Sequence, residues 1–167
     1  VSEAIIFRHF ATKEDLYDAI ITHTVEKRQH LWEAKKFSLK ETEDLETLLR
    51  GFAHAYIQRN RQDPTFIRLM MYSALEDHKF REKFFEIYRS PHMQAIHRAI
   101  ERGIAEARYR PVNPRLTIRS FFWALLQYCN SRFIASTRPV SPSSDTDMVN
   151  NLITVYIKGL ESPSAHD

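Results

Sequence analysis

The scarcity of glycine is the feature that most restricts what this chain can fold into. Only three glycines occur among its 167 residues. Turns between strands rely on glycine because it tolerates positive φ, whereas helices joined by short loops can do without it. The sequence therefore predicts an all-α fold, a helical bundle. Its length suffices for one domain with a sizeable core, or for a small module and a larger one.

Apolar residues recur at helical spacing from the N-terminus onward. A short helix is predicted from Ser2 to Phe10, with Ser2 able to cap it. A longer helix is predicted from Lys13 to about Lys36. Thr12 and Asp15, at capping-box spacing, mark its start.

Prolines and capping residues divide the rest of the chain. Asp63-Pro64 and Asn113-Pro114 each place a capping residue before a proline, so each pair predicts the start of a helix. A segment at 80–88 meets Pro91, which we expect to end or kink it. Two further long helices are predicted at 115–136 and 147–161. The clearest helical stripe before them consists of Leu45, Leu48, Leu49, Phe52, Ala53 and Tyr56.

Several classes of function are disfavoured by the sequence. No run of about 18 uncharged apolar residues is present, and the start lacks a signal-peptide pattern, so no membrane span is expected. The eight histidines lack the spacing of a metal site, and no glycine-rich phosphate loop is possible. No metal, cofactor or catalytic residue is predicted. Cys129 is the single cysteine, which fits a reducing cytoplasm, and we expect it to be a buried structural thiol. The net charge of +3 permits nucleic acid as a partner without arguing for it.

The first twenty residues, VSEAIIFRHFATKEDLYDAI, carry the most specific motif. They resemble the end of the DNA-binding domain of the TetR family. There Val-Ser precedes a short helix that ends in an aromatic residue, any residue, His or Tyr, and Phe, and a Lys and a Leu follow. The family usually has Thr where Ile5 stands and Tyr where Phe7 stands, so two hydroxyls that commonly reach phosphates are missing. The rest of the chain resembles the family in its order of helices and in residues 110–114, which lead into the penultimate helix. The matching residues are Val1, Ser2, Phe7, His9, Phe10, Lys13 and Leu16.

The resemblance implies a ligand-responsive transcription regulator, interpreted here as a repressor released from its operator by a small molecule. Residues 1–22 would be the end of a helix-turn-helix whose first helices are missing, so we expect the observed part to begin late. Residues 23–161 would form a helical ligand-binding and dimerisation domain, and 162–167 a polar tail. The first helix would lie in the major groove of double-stranded DNA. The candidate DNA-binding residues are Ser2, Glu3, Ala4, Phe7, His9 and Lys13.

Aromatic and methionine side chains are abundant in the middle of the chain. Helical bundles bind small molecules in mostly apolar pockets between helices, so these residues predict a site for a bulky apolar or aromatic ligand. Ordinary core packing is the alternative interpretation. The candidate ligand-binding residues are Phe52, Tyr56, Phe66, Met70, Met71, Phe84, Tyr88, His97, Phe122, Trp123 and Gln127.

The last two long helices carry more apolar surface than one domain can easily cover. The resemblance implies that they pair with their copies in a homodimer, which also fits a palindromic operator. The candidate interface residues are Phe121, Leu125, Tyr128, Leu152, Ile153 and Tyr156. Two other classes stay open: a dimeric helical module that binds a hydrophobic molecule without DNA, and a small all-α enzyme, for which no convergent set of titratable groups is visible.

Overall fold

The computed structural model describes residues 9–34, 44–75, 90–135 and 144–163. Most of the predicted helix at 2–10 and the segment at 80–88 lie outside these ranges. Within the described part, every regular element is a helix apart from one isolated bridge between Tyr109 and Glu161, so the predicted all-α fold is confirmed. The helices are α1 (Lys13–Ala34), α2 (Leu45–Gln62), α3 (Thr65–Leu75), α4 (Pro91–Ala105), α5 (Pro114–Phe133) and α6 (Asp145–Leu160).

Capping side chains define where four of these helices begin. Asp44, Ser90, Asn113 and Ser144 each accept a hydrogen bond from the backbone N–H three residues further on. This satisfies an amide that the first turn of a helix leaves without a partner. The Asn113-Pro114 prediction is confirmed, whereas Ser144 was missed, because the last helix was predicted to begin only at residue 147.

Two helices begin at or directly after a proline. Helix α2 ends at Gln62, before Asp63-Pro64 as predicted, and α3 begins one residue later than expected, with the Asp63 carboxylate accepting from the Thr65 amide at 3.0 Å. Pro91 was expected to end or kink the segment at 80–88, which lies outside the described residues; the structure shows that Pro91 is the first residue of α4. Its missing N–H costs nothing there, because that amide would have no partner within the helix.

Helix α2 lies at the centre of the bundle. It contacts α3, α4, α5 and α6, while α1 packs against α3. Full burial of a side chain such as Phe52, which is 0% exposed, contributes about 1.5–3 kcal/mol relative to exposure. The buried face of α2 is the predicted stripe extended by one turn: Leu45, Leu48, Leu49, Phe52, Ala53, Tyr56, Ile57 and Asn60.

The turn between α4 and α5 is clasped to the end of α6. The Arg110 amide donates to the Leu160 carbonyl at 2.8 Å, and the Ser162 amide donates to the Arg108 carbonyl at 3.0 Å. Tyr109, between these two bonds, lays its ring against Gly103 of α4. The clasp therefore ties α4, α5 and α6 together at one end of the bundle.

Gly103→Ala should destabilise the protein sharply. A Cβ at this position would lie 2.1 Å from Cδ2 of the Tyr109 ring, so the ring must move and the clasp with it. We expect a loss of about 1–3 kcal/mol in the free energy of unfolding, measured by urea denaturation. Gly159→Ala is the control, because no described atom lies within 4 Å of a Cβ there. That substitution should stabilise α6 by about 0.8–1.0 kcal/mol. Equal shifts for the two variants would contradict the packing described.

Candidate functional site

The junction between the N-terminal motif and the body is exposed. Four candidate DNA-binding residues, Ser2, Glu3, Ala4 and Phe7, lie outside the described residues. The other two, His9 and Lys13, are exposed. Thr12 and Asp15 form the predicted reciprocal cap: the Thr12 amide donates to the Asp15 carboxylate at 3.0 Å, and the Asp15 amide donates to the Thr12 hydroxyl at 3.1 Å. The cap fixes the direction in which the chain enters α1.

Helix α1 joins the body through a small apolar cluster with α3. Ile21 of α1 and Phe66 of α3 are buried at its centre. Around them pack Tyr17 and Val25 of α1, and Leu69 and Met70 of α3. Further along α1, Lys27 Nζ lies 3.7 Å from Asp63 Oδ2, just beyond the end of α2. A displacement of α1 therefore acts on α3 through the apolar cluster, and on the end of α2 through the exposed Lys27–Asp63 pair.

A cluster of buried rings occupies the middle of the bundle. Phe122 of α5 lies 5.4 Å from Tyr56 and 6.4 Å from Phe52, both of α2, measured between ring centroids. His92 of α4 completes the cluster, 5.5 Å from Phe52. Its Nε2 lies 3.0 Å from the Leu48 carbonyl, and since a carbonyl only accepts, this nitrogen carries the proton. The four rings thus form one connected, buried aromatic cluster between α2, α4 and α5.

The remaining ligand candidates are spread over several places. Phe66 is buried in the α1–α3 cluster, while Met70 and Met71 are half-buried on α3. His97 is half-buried, with Nδ1 3.2 Å from Glu101 Oε2 on the surface of α4. Trp123 is 44% exposed, and Gln127 is exposed and hydrogen-bonds Ser131 on its own helix. Phe84 and Tyr88 lie outside the described residues. The structure thus brings together Phe52, Tyr56 and Phe122, and adds His92, which we had considered only as a metal ligand.

The six candidate interface residues form the layer beneath the surface of α5 and α6. Phe121, Leu125 and Ile153 are at most 1% exposed within the subunit. Leu152 is 9% exposed, and Tyr128 and Tyr156 are half-buried. Tyr156 joins the two helices, because its ring packs edge-on against Phe121 at 5.1 Å and its hydroxyl lies 2.9 Å from the Ser120 hydroxyl.

The outer face of these two helices exposes other apolar side chains. Leu116 and Trp123 of α5 are 61% and 44% exposed, and Val155 of α6 is 60% exposed. Leu116 and Trp123 are seven residues apart, so they lie on one side of α5. We call Leu116, Trp123 and Val155 with the helix surface between them the α5–α6 face. Of these three residues, only Trp123 was predicted from the sequence to have a role, as part of a ligand pocket.

Charged groups converge on Asp145, the first residue of α6. The Tyr128 hydroxyl donates to Asp145 Oδ1 at 2.7 Å, and Arg61, in the last turn of α2, makes an ion pair with the same carboxylate. Arg132 Nε lies 3.8 Å from it. Partial burial, followed by the hydrogen bond to Asp145, raises the pKa of Tyr128 to about 12. We call Asp145, Arg61, Tyr128 and Arg132 the Asp145 cluster.

The described residues form neither a metal site nor a membrane-spanning helix. No group of three or more His, Cys, Asp and Glu side chains among the described residues could hold a metal ion. None of the described helices combines the length and apolar character needed to cross a membrane. Cys129 is 0% exposed, so the expected burial of this thiol is confirmed.

Comparison with known proteins shows a distant relative. The chain is similar to the nucleoid occlusion factor SlmA of Marinobacter nauticus, with 24% identity over 161 residues, which cover 95% of this chain and 80% of that protein. No family model matches the sequence. Because the likeness runs through the helical body as well as the N-terminal motif, it supports a TetR-like protein at this coarse level.

The titration of Tyr128 should be displaced to high pH. Its pKa of about 12 lies above the ordinary value of 10.0, so the folded protein favours the protonated phenol. The resulting stabilisation is complete below pH 10 and is lost as the pH rises from 10 to 12. Comparison of wild type with Tyr128→Phe, by phenolate absorbance and by unfolding at several pH values, measures this contribution.

Asp145→Asn provides the control for the cause of that displacement. The carboxylate charge and its hydrogen bond both raise the pKa of Tyr128, so the variant should titrate at lower pH than wild type. An unchanged titration curve in Asp145→Asn would show that burial alone is responsible.

Proposed function

We propose that this chain forms the sensor and dimerisation body of a ligand-responsive, DNA-binding transcription regulator, joined to the end of its helix-turn-helix. The observation that carries the proposal is the TetR-like motif, which leads through an exposed capping box into α1. The all-α body behind it and its similarity to a nucleoid occlusion factor support the same conclusion. Double-stranded DNA as the partner implies a cytoplasmic protein.

DNA binding is assigned to residues 2–13. Ser2, Glu3 and Ala4, at the start of the recognition helix, would contact base edges, since small residues let a helix end approach the groove closely. Phe7 and His9 would pack against or donate to the backbone. Lys13, exposed at the first turn of α1, would contact a phosphate.

Lys13→Gln should weaken DNA binding through the salt-dependent part of the affinity. Loss of one phosphate contact is expected to lower the slope of log K against log salt concentration by about 0.9. The measurement is fluorescence anisotropy of the full gene product on DNA from upstream of its own gene, compared with random DNA. Lys27→Gln is the matched control, because Lys27 is an exposed lysine on the same helix that pairs with Asp63. Binding of neither DNA by wild type would favour the alternative function, a dimeric small-molecule carrier.

The ligand is proposed to enter the region of the buried rings. Phe52, Tyr56 and Phe122 would supply apolar contacts, and Tyr56 with His92 would supply polar atoms inside an otherwise apolar site. A bulky apolar or aromatic molecule suits such a lining. Phe66, Met70 and Met71 of α3 would move with it, because Met70 packs against both this core and the cluster of Phe66 with α1, and Met71 packs against this core.

Ligand binding would release the operator by changing the separation of the two recognition helices. Helix α1 joins the N-terminal motif to the body, so a tilt of α1 against α3 moves the motif. The shift is limited by the difference between the ligand affinities of the two arrangements. The protein would act as a repressor under this scheme.

A homodimer is proposed to form through the α5–α6 face. Two copies related by a two-fold axis would pair these helices as a four-helix contact, which covers Leu116, Trp123 and Val155. The layer below, which includes Phe121, Leu125 and Ile153, would hold the face in shape, with Tyr128, Leu152 and Tyr156 at its edge. Exposed apolar side chains concentrated on two adjacent helices are the observation that favours this face.

Trp123→Glu should convert the dimer to monomer while leaving the subunit folded. A buried tryptophan at the centre of an interface commonly contributes 2 kcal/mol or more, so the dimer dissociation constant should rise at least about thirtyfold. Sedimentation equilibrium measures this constant, and circular dichroism checks helix content. Tyr72→Glu is the control, because Tyr72 is 59% exposed on α3, away from the face. An equal effect of both substitutions, or none from either, would argue against this interface.

A further inference from the structure

The ends of three helices meet at the Asp145 side chain, which is only 15% exposed. Helix α2 contributes Arg61, and α5 contributes Tyr128 and Arg132. A carboxylate oxygen accepts charge-assisted bonds in preferred directions, so this contact specifies where the start of α6 lies. Apolar contacts are non-directional and specify it less closely.

Polar contacts also locate the rest of α6. Arg50 of α2 donates to the Asn150 side chain in the middle of the helix. At the far end, the clasp fixes α6 by backbone bonds to Arg108 and Arg110. The far end is therefore held against the α4–α5 turn, whereas the start is held by side chains of α2 and α5. Movement of α2 therefore acts on α6 at its start, through Arg61, and nearer its middle, through Arg50.

We propose that the Asp145 cluster is a positioning device, through which the place of the last turn of α2 sets the shape of the α5–α6 face offered to a second copy. This inference rests on the proposed homodimer. Tyr128, which bonds Asp145, is on the same helix as Trp123 and directly follows Gln127, which lies on the Trp123 side of α5. A shift of Asp145 is thereby transmitted directly to the helix that carries the face.

The same turn of α2 connects to the two other proposed sites. Asp63, two residues after Arg61, pairs with Lys27 of α1. Phe52 and Tyr56, one to two turns earlier, belong to the buried rings. A rigid helix transmits a displacement along its length, so a ligand among the rings, or a tilt of α1, reaches the α5–α6 face through Arg61 and Asp145.

Asp145→Asn tests this role against Asp147→Asn. Both carboxylates lie in the first turn of α6 and favour the positive end of its dipole. Among the described residues, Asp147 bonds only Ser144, whereas Asp145 reaches α2 and α5. We expect Asp145→Asn to raise the dimer dissociation constant on the order of tenfold, as for loss of a charge-assisted bond, and Asp147→Asn to change it less than about twofold.

Arg61→Gln tests the contribution of α2 alone. Arg61 is not on the α5–α6 face, so an effect on dimerisation requires transmission through the cluster. Its matched control is Arg68→Gln, an exposed arginine on α3. We expect the first to raise the dimer dissociation constant about fivefold or more, and the second to leave it within about twofold of wild type. Tyr128→Phe is the milder variant if Asp145→Asn does not fold.

The measurement is sedimentation equilibrium at a temperature where circular dichroism shows each variant to be folded, so that lost stability does not appear as dissociation. A wild type that is monomeric at all concentrations would overturn the proposed homodimer and the inference with it. A dimeric wild type whose dissociation constant responds equally to Asp145→Asn and Asp147→Asn would overturn the positioning role alone. Unchanged dimerisation in Arg61→Gln would overturn the transmission from α2.

Discussion

The packing of four helices against α2 is the constraint on which the rest of the structure depends. The stripe of α2 is covered by α4, α5 and α6, and its other contacts reach α3. Because each neighbour buries its apolar side against this one helix, the position of α2 fixes the position of the others. The buried rings, the Asp145 cluster and the pairing with α1 are all built on α2 or on the residue that follows it. A regulator that uses this bundle has few ways to move one site without another.

The helices that the sequence predicted most accurately are those that begin at a capping residue. Asn113-Pro114 and the Thr12–Asp15 box act locally, so their effect can be predicted without the rest of the fold. That Pro91 begins α4 was missed, because a proline can end one helix or begin the next and the outcome depends on whether the residue before it, Ser90, caps. The all-α fold was predicted from the scarcity of glycine, which also requires no knowledge of how the helices pack.

The candidate site was predictable only in part, because burial depends on the whole bundle. Phe52, Tyr56 and Phe122 come together since each lies on the inner side of its helix. Trp123 follows Phe122 directly, yet it faces outward, on the side of α5 that also carries the exposed Arg119 and Gln127. The prediction rested on the apolar run at 121–126 and did not use these polar neighbours. His92 was overlooked since a lone histidine on an apolar stripe does not distinguish a core residue from a ligand contact. The polar partners of Asp145 come from residues up to 84 positions away, so sequence spacing gave no indication of them.

The clasp at the far end of the bundle has a consequence for how the protein opens. The last turn of a helix ordinarily frays, because its carbonyl groups lack partners within the helix. In α6 the carbonyls of Leu160 and Glu161 accept hydrogen bonds from Arg110, and the Ser162 amide donates to the Arg108 carbonyl. Local unfolding of α6 should therefore proceed from the end that only side chains secure, so amide protons near Asp145 would exchange with solvent sooner than those near Leu160. A bundle tied in this way opens first at the start of α6 and keeps the turn between α4 and α5 longest.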